Sequence, residues 1–364
     1  MKQQLDPWGS SNIENYNRLM KEFGITPFSG ILKKVKKPSL YMKRGIIYGH
    51  IGFQEVLNAI NKKEKFVMLT GLMPSGAMHM GHKLVADQMV YYQSLGAECF
   101  ITVADVESYL TRNISIEDAR KTAVEEYLLS YIALGLKPKN CHFYFQSNGS
   151  VGYNNLSKYV SKKITFNGVK SLYGDITPGK IVSALTQVAD ILHPELEEFG
   201  GPRPVVVPVG SDQHPHMLLS RDIATRMKEY GFVLPAATYN KFLPGLMGVD
   251  TKMSSSKEES FISLKDTEDI VEKKIKKYAF SGGRTTLKEH RKKGGKPEVD
   301  VSYQWLTFLE ENDSKLKKIY NNYKSGKLLS GELKEILIEK LNKFLKDHQR
   351  KREKARKIVD KFLE

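Results

Sequence analysis

The sequence predicts an α/β chain: a doubly wound parallel sheet within residues 1–266, of which about the first 65 form an N-terminal extension, then an α-helical domain over 267–364. Three observations carry this. Between residues 66 and 146, short apolar runs alternate with helical stretches, the order that gives parallel strands joined by crossover helices. PVVVPVGSDQ (204–213) adds a valine run fit for burial on both sheet faces. Past residue 266 strand signals cease and lysine-rich helical segments take over.

Each element has its own signal. Asn12 to Phe23 has the caps and spacing of a short helix, ended by Gly24. KKVKKPS (33–39) reads as an exposed link. FQEVLNAINK (53–62) is an amphipathic helix, and FVMLTG (66–71) is a buried strand closed by glycine. A helix over 82–94, the strand CFITVAD (99–105), a helix over 117–134 and the strand CHFYFQ (141–146) follow. The strand at 204–213 leads into a helix from Pro215 to Tyr230. Near the end, Leu333, Leu337, Leu341, Phe344 and Leu345 share one helical face leading into KFLKDHQRKREKARKIVDK (343–361). One side should be buried and the other should present cations.

Composition bounds the function. The 364 residues suffice for two domains, and no run approaches the ~18 apolar residues of a membrane span. The N-terminus lacks the apolar core of a signal peptide, so a cytoplasmic location is expected. Cys99 and Cys141 are too few for a disulfide framework or a four-cysteine zinc site, and both read as packing. The net charge of +16 points to a polyanionic partner such as nucleic acid.

In doubly wound sheets ligands sit beyond the carboxyl ends of the strands. PSGAMHMGHK (74–83) lies there, between strand 66–71 and helix 82–94. Pro74, Ser75 and Gly76 make a turn; His79 and His82, three apart, share a helical face and can address one ligand. Gly81 leaves room for a flat base, and a helix N-terminus favours phosphate. The combination reads as a nucleoside-triphosphate site with imidazole donors at the α-phosphate. GHIGF (49–53) looks like a duplicate, but Phe53 replaces the second histidine and the neighbouring element is a helix, so His50 is read as structural. About 170 residues beyond His82, TKMSSSKEES (251–260) follows a glycine-rich approach and reads as a mobile phosphate loop. Lys252 supplies the charge; Met253, Ser254, Ser255 and Ser256 close the loop or donate hydrogen bonds.

HMGH followed by KMSSS resembles the paired signatures of class I aminoacyl-tRNA synthetases, whose Rossmann domain activates an amino acid with ATP. GSDQ (210–213) resembles an element of the tyrosine and tryptophan subclass. AFSGGRTTLKEHRKKGG (279–295), DVSYQWL (300–306), DPW (6–8) and KRGIIYGH (43–50) are similar to archaeal and eukaryotic tryptophanyl-tRNA synthetases. The resemblance implies that His79, His82 and Lys252 stabilise the ATP phosphates, with Mg²⁺ arriving on ATP rather than on a protein metal site. It places Gly210 and Asp212 at the nucleotide, and Glu107, Gln187 and Gln213 around the α-ammonium group of the amino acid. It implies tRNA as a partner, contacted by Arg284, Arg291, Arg350 and the rest of the 350–357 run, and a homodimer.

Specificity departs from the eukaryotic pattern. A tyrosine and a glutamine near the indole N–H are replaced by Leu69 and Thr102, which cannot recreate them. Asp190, three residues after Gln187, resembles the aspartate with which bacterial tryptophan enzymes accept the indole N–H. Tyrosine enzymes also use an aspartate near this position. Two other readings therefore stand beside tryptophan–tRNA ligation: a tyrosine-specific synthetase and, more remotely, an HxGH-type adenylyltransferase.

Overall fold

The computed structural model describes residues 16–253 and 257–363. The DPW segment, the expected helix start at Asn12, and Ser254, Ser255 and Ser256 lie outside the described residues. Seven strands form one sheet: β1 (Thr26–Pro27), β2 (Ile47–Ile51), β3 (Val67–Leu72), β4 (Glu98–Val103), β5 (Cys141–Phe145), β6 (Val205–Val209) and β7 (Ala236–Asn240). Their spatial order is β1-β2-β7-β6-β3-β4-β5. β3 to β7 are mutually parallel. The chain runs outward from β3 to β5, then returns to β6 beside β3 and runs outward to β7. That reversal leaves a crevice between the ends of β3 and β6.

The sheet is mixed rather than wholly parallel, because β2 pairs antiparallel with β7 and β1 with β2. GHIGF is thus corrected: its first three residues end strand β2, and the helix Phe53–Lys62 only follows. A Cβ at Gly49 would stand 2.4 Å from Ile25 Cγ2, so this glycine serves the approach of β1 to β2.

Strand alternation sends β side chains to two cores. Met68, Leu72, Cys99, Ile101 and Val103 face a cluster continuous with the C-terminal helices through Ile262, Leu264, Ile275, Trp305 and Leu341. Val67, Leu69, Phe100, Val205 and Val207 face another, closed by Val188, Ala189 and Ile191 of the helix Pro178–Leu192. That helix, with Val151–Tyr159 and Phe166–Tyr173, fills a region to which the sequence pattern assigned no element. Gln187 accordingly projects from a helix and not from a strand end.

Several boundaries move. The helix expected at 82–94 is Met80–Ser94. The strand expected to reach 105 stops at Val103, and Asp105 opens a further helix, Asp105–Arg112. The helix from Pro215 runs His214–Arg226 and ends in a 3₁₀ turn. The helix expected over 117–134 is α-helical at Ile116–Thr122 and Leu129–Leu134, but Ala123–Leu128 between them is a π-helix.

After residue 266 the described chain is helical, with the long helix Ser330–Ala355 followed by a 3₁₀ turn, Val359–Phe362. Leu333, Leu337, Leu341 and Leu345 are buried and Phe344 is half-buried, as their spacing predicts. Gly282, Gly294 and Gly326 of this region serve close backbone approach. A Cβ at Gly294 would stand 1.8 Å from Lys324 O, and Gly294 has φ +68°. Among the described residues no helix is long and apolar enough to cross a membrane.

Candidate active site

A cavity of about 440 Å³ opens at the crevice between β3 and β6. Ser75, His79, Gly81, His82, Glu107, Gln187, Asp190, Gly210, Asp212, Gln213, Lys252 and Met253 all line it. Residues spread over nearly 180 positions converge because their strands end on one edge of one sheet.

The two histidines build the helix start. His79 is the N-cap of Met80–Ser94; its Nδ1 accepts from the Gly81 N–H at 3.1 Å, and its own N–H donates to His82 Nδ1 at 3.2 Å. This is a reciprocal capping box made of imidazoles. A neutral imidazole whose Nδ1 accepts must carry its proton on Nε2. Burial keeps both rings neutral: it holds His79 well below the usual histidine value, and lowers His82 to about 4. The rings stack with centroids 3.8 Å apart. The pair therefore offers two Nε2–H donors beside a helix N-terminus, a neutral but polarised seat for phosphate. A Cβ at Gly81 would stand 3.0 Å from the His79 ring and 3.4 Å from Met253 Sδ, so the space beside this glycine is shared by those two side chains.

The second signature meets the first through backbone. Met80 N–H donates to Ile262 O and Leu264 N–H to Met78 O, both at 3.0 Å. The segment just past the KMSSS loop thereby pins the turn that carries His79, with an isolated antiparallel bridge between His79 and Ser263. Lys252 Nζ lies 2.9 Å from Asp212 Oδ2 and 4.2 Å above the centre of the Phe242 ring. Gly210 makes that grouping possible, since a Cβ there would stand 2.5 Å from Phe242 Cζ and 2.6 Å from Asp212 Oδ1.

At the other end of the cavity Asp190 is 1% exposed. Tyr153 Oη donates to its Oδ1 at 2.7 Å and Gln146 Nε2 to its Oδ2 at 2.8 Å; Tyr144 Oη stands 3.5 Å from Oδ1. Burial raises its carboxyl to about 7, against the lowering effect of these donors. Gln146 is oriented by accepting the Glu107 N–H at 3.2 Å. Two oxygens offer about four acceptor positions, so one remains on Oδ2 for a donor in the cavity. Glu107 and Asp190 place two carboxyl groups in this part of the cavity, away from the Lys252–Asp212 pair, which suits a cationic ammonium group.

Not every expected residue joins. Leu69 is fully buried in the core against helix Pro178–Leu192 and does not line the cavity, whereas Thr102, on the neighbouring strand, does. Gly76 is also absent from the lining, and His50, read as structural, lies outside it as expected. Arg284 Nε donates to Gly294 O at 2.9 Å, and Arg291 Nη1 donates to Gly326 O at 3.0 Å and Lys327 O at 2.5 Å, so both brace their own domain while remaining exposed. Arg350 is exposed and pairs with Asp347 at 2.6 Å. Arg352 departs from the expected cationic face of 350–357: it is buried. Sequence reasoning missed Arg112, Tyr127, Tyr131 and Phe242 in the cavity wall, and Tyr144, Gln146 and Tyr153 around Asp190. Gln146, a polar residue closing an apolar strand, was the one detectable signal among them.

Comparison with known proteins now bears on this geometry. Residues 61–346 match the family model of tRNA synthetases class I (W and Y). The tryptophan–tRNA ligase of Aeropyrum pernix is 46% identical over 370 residues, spanning 100% of this chain and 98% of that one. The chain belongs to the tryptophan–tRNA ligase family. It is an aminoacyl-tRNA synthetase, with a Rossmann-type catalytic sheet and helical C-terminal region. The Methanocaldococcus jannaschii tryptophan–tRNA ligase is 42% identical over 367 residues, covering 99% of this chain and 98% of its own. The crystal structure of the A. pernix tryptophanyl-tRNA synthetase superposes with a TM-score of 0.91 at 45% identity, covering 98% of both chains. That of the Plasmodium falciparum enzyme gives 0.85 at 33%, covering 96% of this chain and 95% of the other.

Proposed function

We propose that this cavity activates L-tryptophan with ATP and that the chain then transfers it to tRNA(Trp). The observation that carries the reading is the stacked, Nε2-protonated His79–His82 pair facing the same cavity as Lys252. A carboxylate oxygen of tryptophan attacks the α-phosphorus in line; the bond to the β-phosphate oxygen breaks, and pyrophosphate leaves with the electron pair. Phosphoryl transfer of this kind asks for positioning and charge neutralisation, not a protein nucleophile. The imidazole N–H groups take the charge that develops on the α-phosphate oxygens. Lys252 leaves Asp212 for the β- and γ-phosphates, with Mg²⁺ supplied on ATP. Ser75, Gly81, Gly210, Asp212 and Met253 shape the nucleotide seat. In the second step a terminal ribose hydroxyl of tRNA attacks the carbonyl carbon of the adenylate and AMP departs.

Glu107, Gln187 and Gln213 hold the ammonium group, and the remaining acceptor site of Asp190 reads the indole N–H. We assign residues 267–364 to the anticodon, with Arg284, Arg291 and Arg350 among the contacts. Phe280, half exposed and four residues before Arg284, offers an exposed ring of the kind on which unpaired bases stack. We assign a homodimer to the chain, with the exposed apolar side chains Tyr109, Val151 (77% exposed), Tyr159, Phe166 (61% exposed) and Val182 as the candidates for its interface. A cytoplasmic location accompanies this assignment. The decisive test is His82→Ala: kcat for tryptophan-dependent pyrophosphate exchange should fall roughly 10²–10³-fold, as for loss of an oxyanion donor. An unchanged kcat in a folded variant overturns the assignment.

A further inference from the structure

Helix-forming periodicity runs unbroken from residue 116 to 134, yet Ala123–Leu128 is wound as a π-helix, and the N–H of Leu129 reaches back five residues to Val124 O. Such stretches are rare and occur where outside groups hold them. Two side chains meet consecutive carbonyls of this one. Ser130 Oγ donates to Glu126 O at 2.7 Å. The Arg352 guanidinium, from the C-terminal helix, donates to Glu125 O. Arg352 is 7% exposed although it lies in the most basic stretch of the chain, so its burial has been bought by that carbonyl rather than by solvent. Around it, Arg356 pairs with the Glu125 carboxylate at 3.0 Å and Lys265 with that of Glu126 at 2.6 Å.

The next residue of the same stretch reaches the catalytic cavity. Tyr127 lines it, is 1% exposed, and sets its ring edge-on to His82 with centroids 5.3 Å apart. Its buried hydroxyl has no hydrogen-bond partner among the described residues, so no polar anchor of its own fixes the ring. What fixes it is the winding of the backbone on which it stands. Relaxation of the π stretch to α-helix would rotate Tyr127 about the helix axis and remove one wall of the His82 ring, leaving the His79 stack and the Nδ1 hydrogen bond alone to aim its Nε2–H at phosphate.

We infer that Arg352 is a positioning residue for His82, acting from the C-terminal helix through the π-wound stretch 123–128 and the ring of Tyr127. The inference rests on the reading of His82 as a phosphate donor for its kinetic consequence, but not for the structural linkage. Both are tested on the full chain. With histidine Cε1 isotopically labelled, the His82 resonance (identified by its loss in His82→Asn) should move in Arg352→Met in the same direction as in Tyr127→Leu, and less far, because the first displaces and the second deletes the Tyr127 ring, weakening its ring current at His82; His142 and His216, remote from this contact, should stay. Pyrophosphate exchange should fall roughly ten-fold in kcat, with KM for tryptophan unchanged, as for a donor displaced by a fraction of an ångström. The double variant Arg352→Met/Tyr127→Leu should be no worse than the worse single one. Arg352→Lys, which keeps the charge but loses the planar fork, serves if the methionine variant does not fold, and should give a smaller change of the same sign. A stationary His82 resonance in a folded variant, or fully multiplicative kinetic losses, overturns the inference. A shifted resonance with normal exchange would instead overturn the reading of His82, a separate failure.

Discussion

Replacing Asp190 with alanine bears directly on how the substrate is chosen. The carboxylate receives Tyr153 at 2.7 Å and Gln146 at 2.8 Å, and the variant leaves both donors buried without an acceptor, at about 1–3 kcal/mol each. Against this, burial holds the carboxyl near 7 rather than 3.8, so ionising it in the fold costs roughly 4 kcal/mol above that pH, and the variant is spared this. The two effects nearly cancel at pH 8, where the variant should remain folded. Its catalytic cost is separate. Loss of a charge-assisted hydrogen bond to the indole N–H should lower kcat/KM for tryptophan by roughly 1.5–3 kcal/mol, about 10- to 150-fold. The sharper signature is discrimination. Wild type should reject the benzothiophene analogue, in which sulfur replaces the N–H, because the Oδ2 lone pair is then unpaired. Asp190→Ala should accept both within a few-fold, measured by pyrophosphate exchange at pH 8. A folded variant that still discriminates would refute the role given to Asp190.

Three further outcomes follow from the geometry. Lys252→Ala should lower kcat for exchange by roughly 10²-fold while tryptophan affinity, read by calorimetry without ATP, stays within about two-fold; equal loss of both would show that Lys252 only supports the fold. Acid should destabilise the protein between about pH 6.5 and 4. His82, His214 and His348 are lowered to about 4, and His193 and His216 to about 3, all by burial, so each is neutral when folded and protonated when unfolded across that window. Each removes about 1.4 kcal/mol per pH unit there. Asp190 and Glu195, raised to about 7 and 8 by burial, act in the opposite sense: each stabilises fully below its unfolded value near 4 and loses that contribution as pH rises from there to about 7 and 8, offsetting part of the histidine slope. Thermal unfolding should therefore show its maximum near pH 6.5–7; a flat profile from 4 to 6.5 contradicts the buried neutral histidines. Phe280→Ala should reduce tRNA charging while leaving tryptophan-dependent exchange at the wild-type rate; a matched loss in exchange would place Phe280 in the structural core instead.

That His79, His82, Asp212 and Lys252 meet at one cavity was legible because local chemistry announced it. An apolar strand closed by glycine, then two histidines around a glycine at a helix start, already implies a phosphate seat at a strand end. GSDQ after a valine strand and lysine beside small hydroxyls after a glycine approach are equally local. The surroundings of Asp190 were not legible. Tyr144 sits on β5, Gln146 just beyond it and Tyr153 on the next helix, and only the sheet topology brings them to a carboxylate on a later helix. The helices between 151 and 192 were missed because small and polar residues blur their apolar period: Val151–Tyr159 carries a glycine and two asparagines. The π stretch has no signature apart from α-helix, since both place apolar residues at similar intervals. Arg352 illustrates the converse error. A run of cations reads as a solvated face, and only the carbonyl it meets shows that one member turns inward.

The most direct test of the whole account is exchange of labelled pyrophosphate into ATP with tryptophan and tyrosine compared side by side on the purified chain. Exchange should require tryptophan, with tyrosine lower by several orders of magnitude. Exchange with tyrosine at a comparable rate, or none with tryptophan, would contradict it.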